Sequence, residues 1–220
     1  MKNYKKNLKL LSKNHVYSKE MEHDACGVGL IASTEGKKSR EIVEYGIEAL
    51  KAVWHRGAVD ADGKTGDGAG IHVEIPKDFF IEKIEVTGHD YDNSEICVGM
   101  IFLPRNDYSS QESCKTIVES ELTKNDFSIY GWRQVPVNPK ILGTKAFQTM
   151  PEIIQVLFKS NDPNLIDKNL ERKIYETRKK IENKAFELSL NNFYICSISS
   201  KSIIYKGLYL AESISDFYLD

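Results

Sequence analysis

The sequence predicts an α+β fold built on antiparallel sheets. Strand-like apolar runs come in groups, and helical periodicities fall between them without the strict alternation of βαβ units. The 220 residues are 41% hydrophobic and 28% charged, the balance of a globular chain with enough length for a sizeable core. Thirty Lys plus Arg against 32 Asp plus Glu leave a formal net charge of −2. No global positive field exists to hold nucleic acid or an anionic membrane. No apolar run approaches the roughly 18 residues that a membrane-spanning helix needs.

The elements follow in order. Residues 1–25 form a Lys/Asn-rich leader without sustained periodicity, and at residue 26 the composition shifts to the apolar run Cys26-Gly27-Val28-Gly29-Leu30-Ile31-Ala32, which reads as a buried strand. From Glu41 to Trp54, apolar residues at Ile42, Val43, Ile47, Leu50, Val53 and Trp54 recur at helical spacing, with Arg56-Gly57 as a stop. Ile71, Val73 and Ile75 alternate as in a half-buried strand that Pro76 ends. Ile96 to Leu103 reads as a strand, and Ser110 to Leu122 as a helix with Cys114, Ile117, Val118 and Leu122 inward. Phe127 to Val137 and Glu152 to Phe158 read as strands, and Leu165 to Phe186 as an amphipathic helix. Phe193 to Ser199 and Ser202 to Leu210, separated by Ser200-Lys201, are expected to pair as a hairpin.

Cys26, Cys97, Cys114 and Cys196 lie far apart, with no C-x-x-C pair and no His at metal-ligand spacing. Neither a disulfide framework nor a zinc site is expected. The leader's apolar cluster of Leu8, Leu10 and Leu11 is too weak for a signal peptide, and its lack of Arg argues against a transit peptide. The compartment reads as reducing and cytoplasmic.

Nine of the fourteen glycines fall between Gly27 and Gly70, so a site is expected in the first third of the chain. Gly66-Asp67-Gly68-Ala69-Gly70 lacks the Gly-Lys-Ser/Thr ending of a phosphate-binding loop and leads into a strand pattern. Tight turns between packed elements therefore outrank a phosphate or nucleotide module. Cys26 begins the strand-like run between small neighbours. Cleavage after Ala25 would give it a free α-amine, with a reference pKa of about 7.7 to 8.0, able to act as base for its own thiol. The alternative is an inert core thiol.

Asp24-Ala25-Cys26-Gly27-Val28-Gly29, His55-Arg56-Gly57-Ala58, Asp60-Ala61 and Thr65-Gly66-Asp67-Gly68-Ala69-Gly70-Ile71 closely resemble, in order and spacing, the start of glutamate synthase large subunits. The likeness continues through Gly131-Trp132-Arg133, Leu142-Gly143 and Tyr205-Lys206-Gly207, and covers the chain from about residue 22 onward. It implies a class II glutamine amidotransferase (glutaminase) domain with an N-terminal-nucleophile hydrolase fold, two antiparallel sheets sandwiched between helical layers, over residues 26–220. The resemblance makes Cys26 the nucleophile that attacks the glutamine side-chain amide, with its α-amine as base after processing of residues 1–25. Two roles are open to Arg56: orienting the N-terminal amine, or capping the preceding helix. Asp67 is expected to bond its own backbone in a turn, and Trp132 and Arg133 to be structural.

In the complete glutamate synthase the resemblance implies that ammonia passes to a synthase domain, where 2-oxoglutarate is aminated with FMN and an iron–sulfur cluster. No cofactor is expected in this chain. The family's Arg-Phe-Ser-Thr segment, which binds the glutamine carboxylate, and its Asn-Gly oxyanion hole do not occur in the 220 residues. The expectation is a fold incomplete at its C-terminus, a truncated or split form not competent alone. It would need the remaining synthase domains or a second chain, and the competing reading is a non-catalytic remnant or assembly module.

Overall fold

The structure is a computed structural model that describes residues 2–14, 27–54 and 57–220. Its frame is a four-stranded antiparallel sheet with strand order β3-β4-β2-β5, formed by β2 (Cys97–Leu103), β3 (Phe127–Gln134), β4 (Glu152–Ser160) and β5 (Tyr194–Ser199). A second, two-stranded antiparallel ladder joins β1 (Ala69–Glu74) to β6 (Ser202–Gly207), with Ala69 opposite Gly207 and Glu74 opposite Ser202. The fold is α+β with two antiparallel sheets, as the grouping of strand runs predicts.

Both faces of the four-stranded sheet are covered, which explains the near-continuous apolar run of β2. Val98 and Met100 point into one core cluster, while Cys97, Ile101 and Leu103 point into the other. The second cluster lies beneath α4 (Tyr108–Lys124) and α6 (Asp167–Glu187), which bury Cys114, Val118 and Leu122 and Leu170, Ile174 and Ile181 respectively. Phe127 and Phe158 meet edge-on there at 5.3 Å. Asp107 starts α4 as an N-cap, its carboxylate accepting from the Ser110 amide at 3.0 Å. The first cluster fills the space between the sheet and the β1–β6 ladder, with contributions from α3 (Lys77–Val86) through Phe80 and Ile84 and from α7 (Ile214–Phe217). Helix α2 (Arg40–Ala52) adds Ile47 and Leu50 to this cluster and passes so close to β1 that a Cβ on Gly46 would stand 3.2 Å from Ile71.

Several expectations need correction. Residues 27–32 form no strand, and Val28 and Leu30 are 90% and 89% exposed. A strand exists only through its ladder partner, and none of the described strands pairs with this run. Within the leader, Lys2–Asn14 is a helix, α1, despite its weak apolar periodicity, because Lys and Leu are good helix formers. Helices α3 and α5 (Thr144–Thr149) are elements that the periodicity does not mark; each is short, at 10 and 6 residues.

The expected hairpin of β5 and β6 is an arch: β5 pairs with β2 and β6 with β1, so consecutive strands belong to different sheets. Ser200-Lys201 lacks the Asn-Gly or Gly pair that a two-residue hairpin turn requires. The arch is bridged by side chains instead. The Cys196 thiol donates to the Ile204 carbonyl at 3.4 Å, and the Ile204 amide donates to the Ser197 hydroxyl at 3.1 Å. At its apex the Glu171 carboxylate of α6 accepts from the Ser200 amide at 2.7 Å and from the Ser200 and Ser199 hydroxyls at 2.8 and 3.0 Å. Ser200 is buried, so Glu171→Ala leaves a buried amide without its acceptor and is expected to cost about 2 kcal/mol. Urea unfolding checks this; an unchanged midpoint would mean that the arch is held without Glu171.

Candidate functional site

The glycine-rich region folds into a small hairpin, residues 57–68, anchored by the antiparallel bridge between Val59 and Gly66. The Asp67 amide donates to the Ala58 carbonyl at 3.2 Å, and the Asp60 amide to the Thr65 carbonyl at 2.9 Å. At the tip, Gly63 adopts φ +70°, a left-handed conformation that glycine tolerates without penalty. The Asp62 carboxylate closes the turn by accepting from the Lys64 and Thr65 amides at 3.0 and 2.7 Å and from the Thr65 hydroxyl at 2.6 Å. These bonds, led by that from the Thr65 hydroxyl, hold the Asp62 carboxyl below the usual carboxylate range.

The other glycines of this region allow backbones to touch. A Cβ on Gly66 would collide with the Tyr209 carbonyl, and one on Gly70 would lie 2.9 Å from the Tyr205 carbonyl oxygen. The glycine-rich segment is thus a packing device, which agrees with the reading of tight turns between packed elements. Asp67 is exposed and stands beside Gly57, a Cβ on which would lie 3.3 Å from its Oδ1. The turn bonds expected of Asp67 belong to Asp62, because Asp67 sits in an arm of the hairpin, paired to Ala58, rather than at its tip.

The hairpin forms one wall of a cavity of about 450 Å³ at the end of the β1–β6 ladder. Gly27 borders it on one side, Trp54 at the end of α2 on another, and Leu210 and Glu212 on a third; Ala58 and Asp67 come from the hairpin. Cys26 and Arg56, the two predicted site residues, lie outside the described residues, but their chain neighbours Gly27 and Gly57 both line this cavity. A depression of similar volume, about 460 Å³, lies at the opposite end of the ladder. Its Lys38, Lys77 and Lys201 are paired with Glu74, Glu95 and Asp167, and its His72 ring is hydrogen-bonded to the Ser202 hydroxyl at 2.7 Å. The first cavity is distinguished by Gly27 and Gly57, the chain neighbours of the two predicted residues.

The described thiols are buried. Burial pushes the Cys114 and Cys196 thiols up to about 11 and raises that of Cys97 as well. All three stay protonated at neutral pH, a poor state for nucleophilic attack. Arg133 is occupied structurally: it donates to Gln155 at 2.7 Å, pairs with Asp220 at 2.6 Å and lies over the Phe79 ring at 5.1 Å. The Trp132 indole donates to Glu119 at 2.6 Å. What sequence reasoning missed is the Asp62–Thr65 turn and the wall at Leu210–Glu212. The Asp62-Gly63 pair is a readable turn signal for the first; no sequence signal marks the second. Among the described residues no group of three or more His, Cys, Asp or Glu could hold a metal ion, and no helix is long and apolar enough to cross a membrane.

The family model for class-II glutamine amidotransferases matches residues 26–220, starting at Cys26, the residue before Gly27 in the chain. The chain belongs to the class-II glutamine amidotransferases. This amidotransferase chain is 51% identical over 217 residues to the glutamate synthase [NADPH] large chain of Azospirillum brasilense, a match covering 99% of it and 14% of that relative. It is 40% identical over 201 residues to ferredoxin-dependent glutamate synthase 1, chloroplastic/mitochondrial, of Arabidopsis thaliana, covering 90% of it and 12% of the relative. A ferredoxin-dependent glutamate synthase 2 of Synechocystis is 36% identical over 200 residues, with the same two shares. The amidotransferase chain therefore spans about one seventh or less of the length of these relatives. The family implies an N-terminal-nucleophile hydrolase fold, in keeping with the α+β architecture and its two antiparallel sheets.

Proposed function

We propose that this chain supplies Cys26 as the nucleophile for hydrolysis of the glutamine side-chain amide, as the glutaminase portion of a glutamate synthase whose remaining parts complete the site. The observation that carries the reading is the start of the family match at Cys26, whose neighbour Gly27 borders the cavity. The other three cysteines are buried and held protonated, which leaves Cys26 as the candidate thiol. Removal of residues 1–25 frees its α-amine. That amine takes the thiol proton as sulfur attacks the amide carbon, then passes it to the leaving nitrogen, so ammonia departs and a thioester remains. Water attacks the thioester and yields glutamate and the free thiol. Arg56, beside Gly57 in the cavity wall, is assigned to orienting the amine.

The sandwich of two sheets between helical layers belongs to the same proposal, supported by α4 and α6 on one side of the four-stranded sheet and the β1–β6 ladder on the other. The ammonia is used by further synthase domains that aminate 2-oxoglutarate and carry FMN and an iron–sulfur cluster. The setting is reducing and cytoplasmic, in keeping with three free cysteines among the described residues.

Two measurements test the reading. The intact mass of protein from its native host is expected to correspond to a chain starting at Cys26; an active preparation containing only unprocessed chains would rule out the amine as base. Alkylation of the native protein at pH 8 is expected to modify one of the four thiols rapidly, at Cys26, because thiols held near 11 are about 0.1% ionised there. Rapid labelling of Cys97, Cys114 or Cys196 instead of Cys26 would count against Cys26 as the nucleophile.

A further inference from the structure

We infer that Asp62 is a positioning residue for the glutaminase site: its carboxylate and the Thr65 hydroxyl pin the 57–68 hairpin to the start of α5 and so set where Ala58 and Asp67 stand in the cavity wall. The inference rests on the glutaminase reading above. The Asp62 residue is exposed, yet its side chain makes the hairpin's densest set of bonds. Those bonds do not stop at the turn. The Ala146 amide of α5 donates to the Thr65 hydroxyl oxygen at 3.3 Å, the Lys145 amide points at the Asp62 carboxylate at 3.5 Å, and the Lys145 ammonium pairs with Asp60 at 2.7 Å.

The fit between the two pieces is tight. Gly143 has an ordinary φ of −69°, so its backbone does not require glycine. Its surroundings do: a Cβ there would collide with the Asp62 carboxylate and the Thr65 hydroxyl, and would lie 2.5 Å from the Thr65 amide. The hairpin tip is thus seated against residue 143 with no room for a methyl group. Beyond the Val59–Gly66 bridge the two arms carry Ala58 and Asp67, one on each, to the cavity. Thr65 is buried at this junction, whereas Asp67, on the cavity side, is exposed. A hairpin this short, held at its tip and along its bridge, transmits a displacement at the tip to the wall.

The test uses processed, full-length protein and measures kcat/KM for glutamine per alkylatable Cys26 thiol. A role confined to folding lowers the number of sites and the melting temperature but leaves the value per site unchanged. The expectation for Asp62→Ala is a loss of about tenfold or more per site, since sub-ångström misplacement of a wall is costly to an aligned reaction. Asp62→Asn keeps an acceptor for the two backbone amides and is expected to stay within about threefold of wild type by the same reasoning. Gly143→Ala perturbs the junction from the other side. It is expected to reproduce the loss and, combined with Asp62→Ala, to add little to it, because both variants break one contact. If Asp62→Ala does not fold, Thr65→Val, which removes only the shared hydroxyl, replaces it. Wild-type kcat/KM per site in Asp62→Ala or Thr65→Val, or additive losses in the double variant, would overturn the inference while leaving Cys26 as nucleophile. Failure of the glutaminase reading would show separately, as Cys26-independent turnover.

Discussion

Cys26→Ala is expected to lower glutamine hydrolysis by at least about a thousandfold in processed, full-length protein, since removing the attacking atom removes the covalent route altogether. Cys26→Ser is expected to fall nearly as far, because a hydroxyl is far less ionised than a thiol at neutral pH. Under the proposed function, synthesis of glutamate from free ammonia by the complete synthase, which needs no amide hydrolysis, is expected to survive in both variants. That contrast separates loss of a nucleophile from loss of structure, and steady-state rates with glutamine and with ammonium salts measure it. Near wild-type hydrolysis in Cys26→Ala would remove Cys26 from the mechanism. The other thiols would be weak replacements: Cys114 and Cys196 are held near 11 by burial, and Cys97 is fully buried beneath α6.

How much of this was legible in the sequence depends on what each residue's environment demands. Ile71, Val73 and Ile75 alternate because β1 has one face on the core, and that local demand is written directly into residue order. The unbroken run of β2 is equally legible, since Val98 and Ile101 face opposite clusters and both must be apolar. Long amphipathic elements such as α4 and α6 declare themselves by period. Pairing is different. Val28 and Leu30 look like strand residues, and Ser202 to Gly207 looks like the second arm of a hairpin, but which strand lies beside which is decided by non-local contacts. Glu171 reaching the Ser200 amide from a helix almost thirty residues earlier is such a contact, and no window of sequence contains both groups. At the site, the order and spacing of motifs around Cys26 and Gly66 point to the segment where the family match begins and whose Gly27 lines the cavity. The lock between Asp62 and Gly143 was hidden for the same reason as the arch: its two halves are 81 residues apart, and the glycine is required by space rather than by backbone angle.

Gly66→Ala is expected to be the most damaging small substitution in the described chain. Its Cβ would meet the carbonyl carbon of Tyr209 at 2.7 Å and the Leu210 amide nitrogen at 3.0 Å, as well as the carbonyl oxygen. These are backbone atoms, so no rotamer change relieves the clash. Nor can the Tyr209 segment retreat. The Tyr209 ring is 1% exposed, packed 5.3 Å from Phe217 and edge-on to Tyr218 at 6.4 Å, and Gly207 is itself required beneath it. The hairpin must therefore move, and with it Ala58 and Asp67. Overpacking of this kind costs about 2 to 3 kcal/mol, and the displaced wall is expected to lower kcat/KM for glutamine by about a hundredfold. Gly63→Ala provides the contrast: at φ +70° it strains the backbone, but nothing lies within 4 Å of its Cβ. Strain alone at that position is expected to cost about 1 kcal/mol. Urea midpoints of the two variants, read beside their activities, separate crowding from strain. Equal losses in both would mean that Tyr209 yields to the added methyl group and that the close approach of the two backbones is not what holds the cavity in shape.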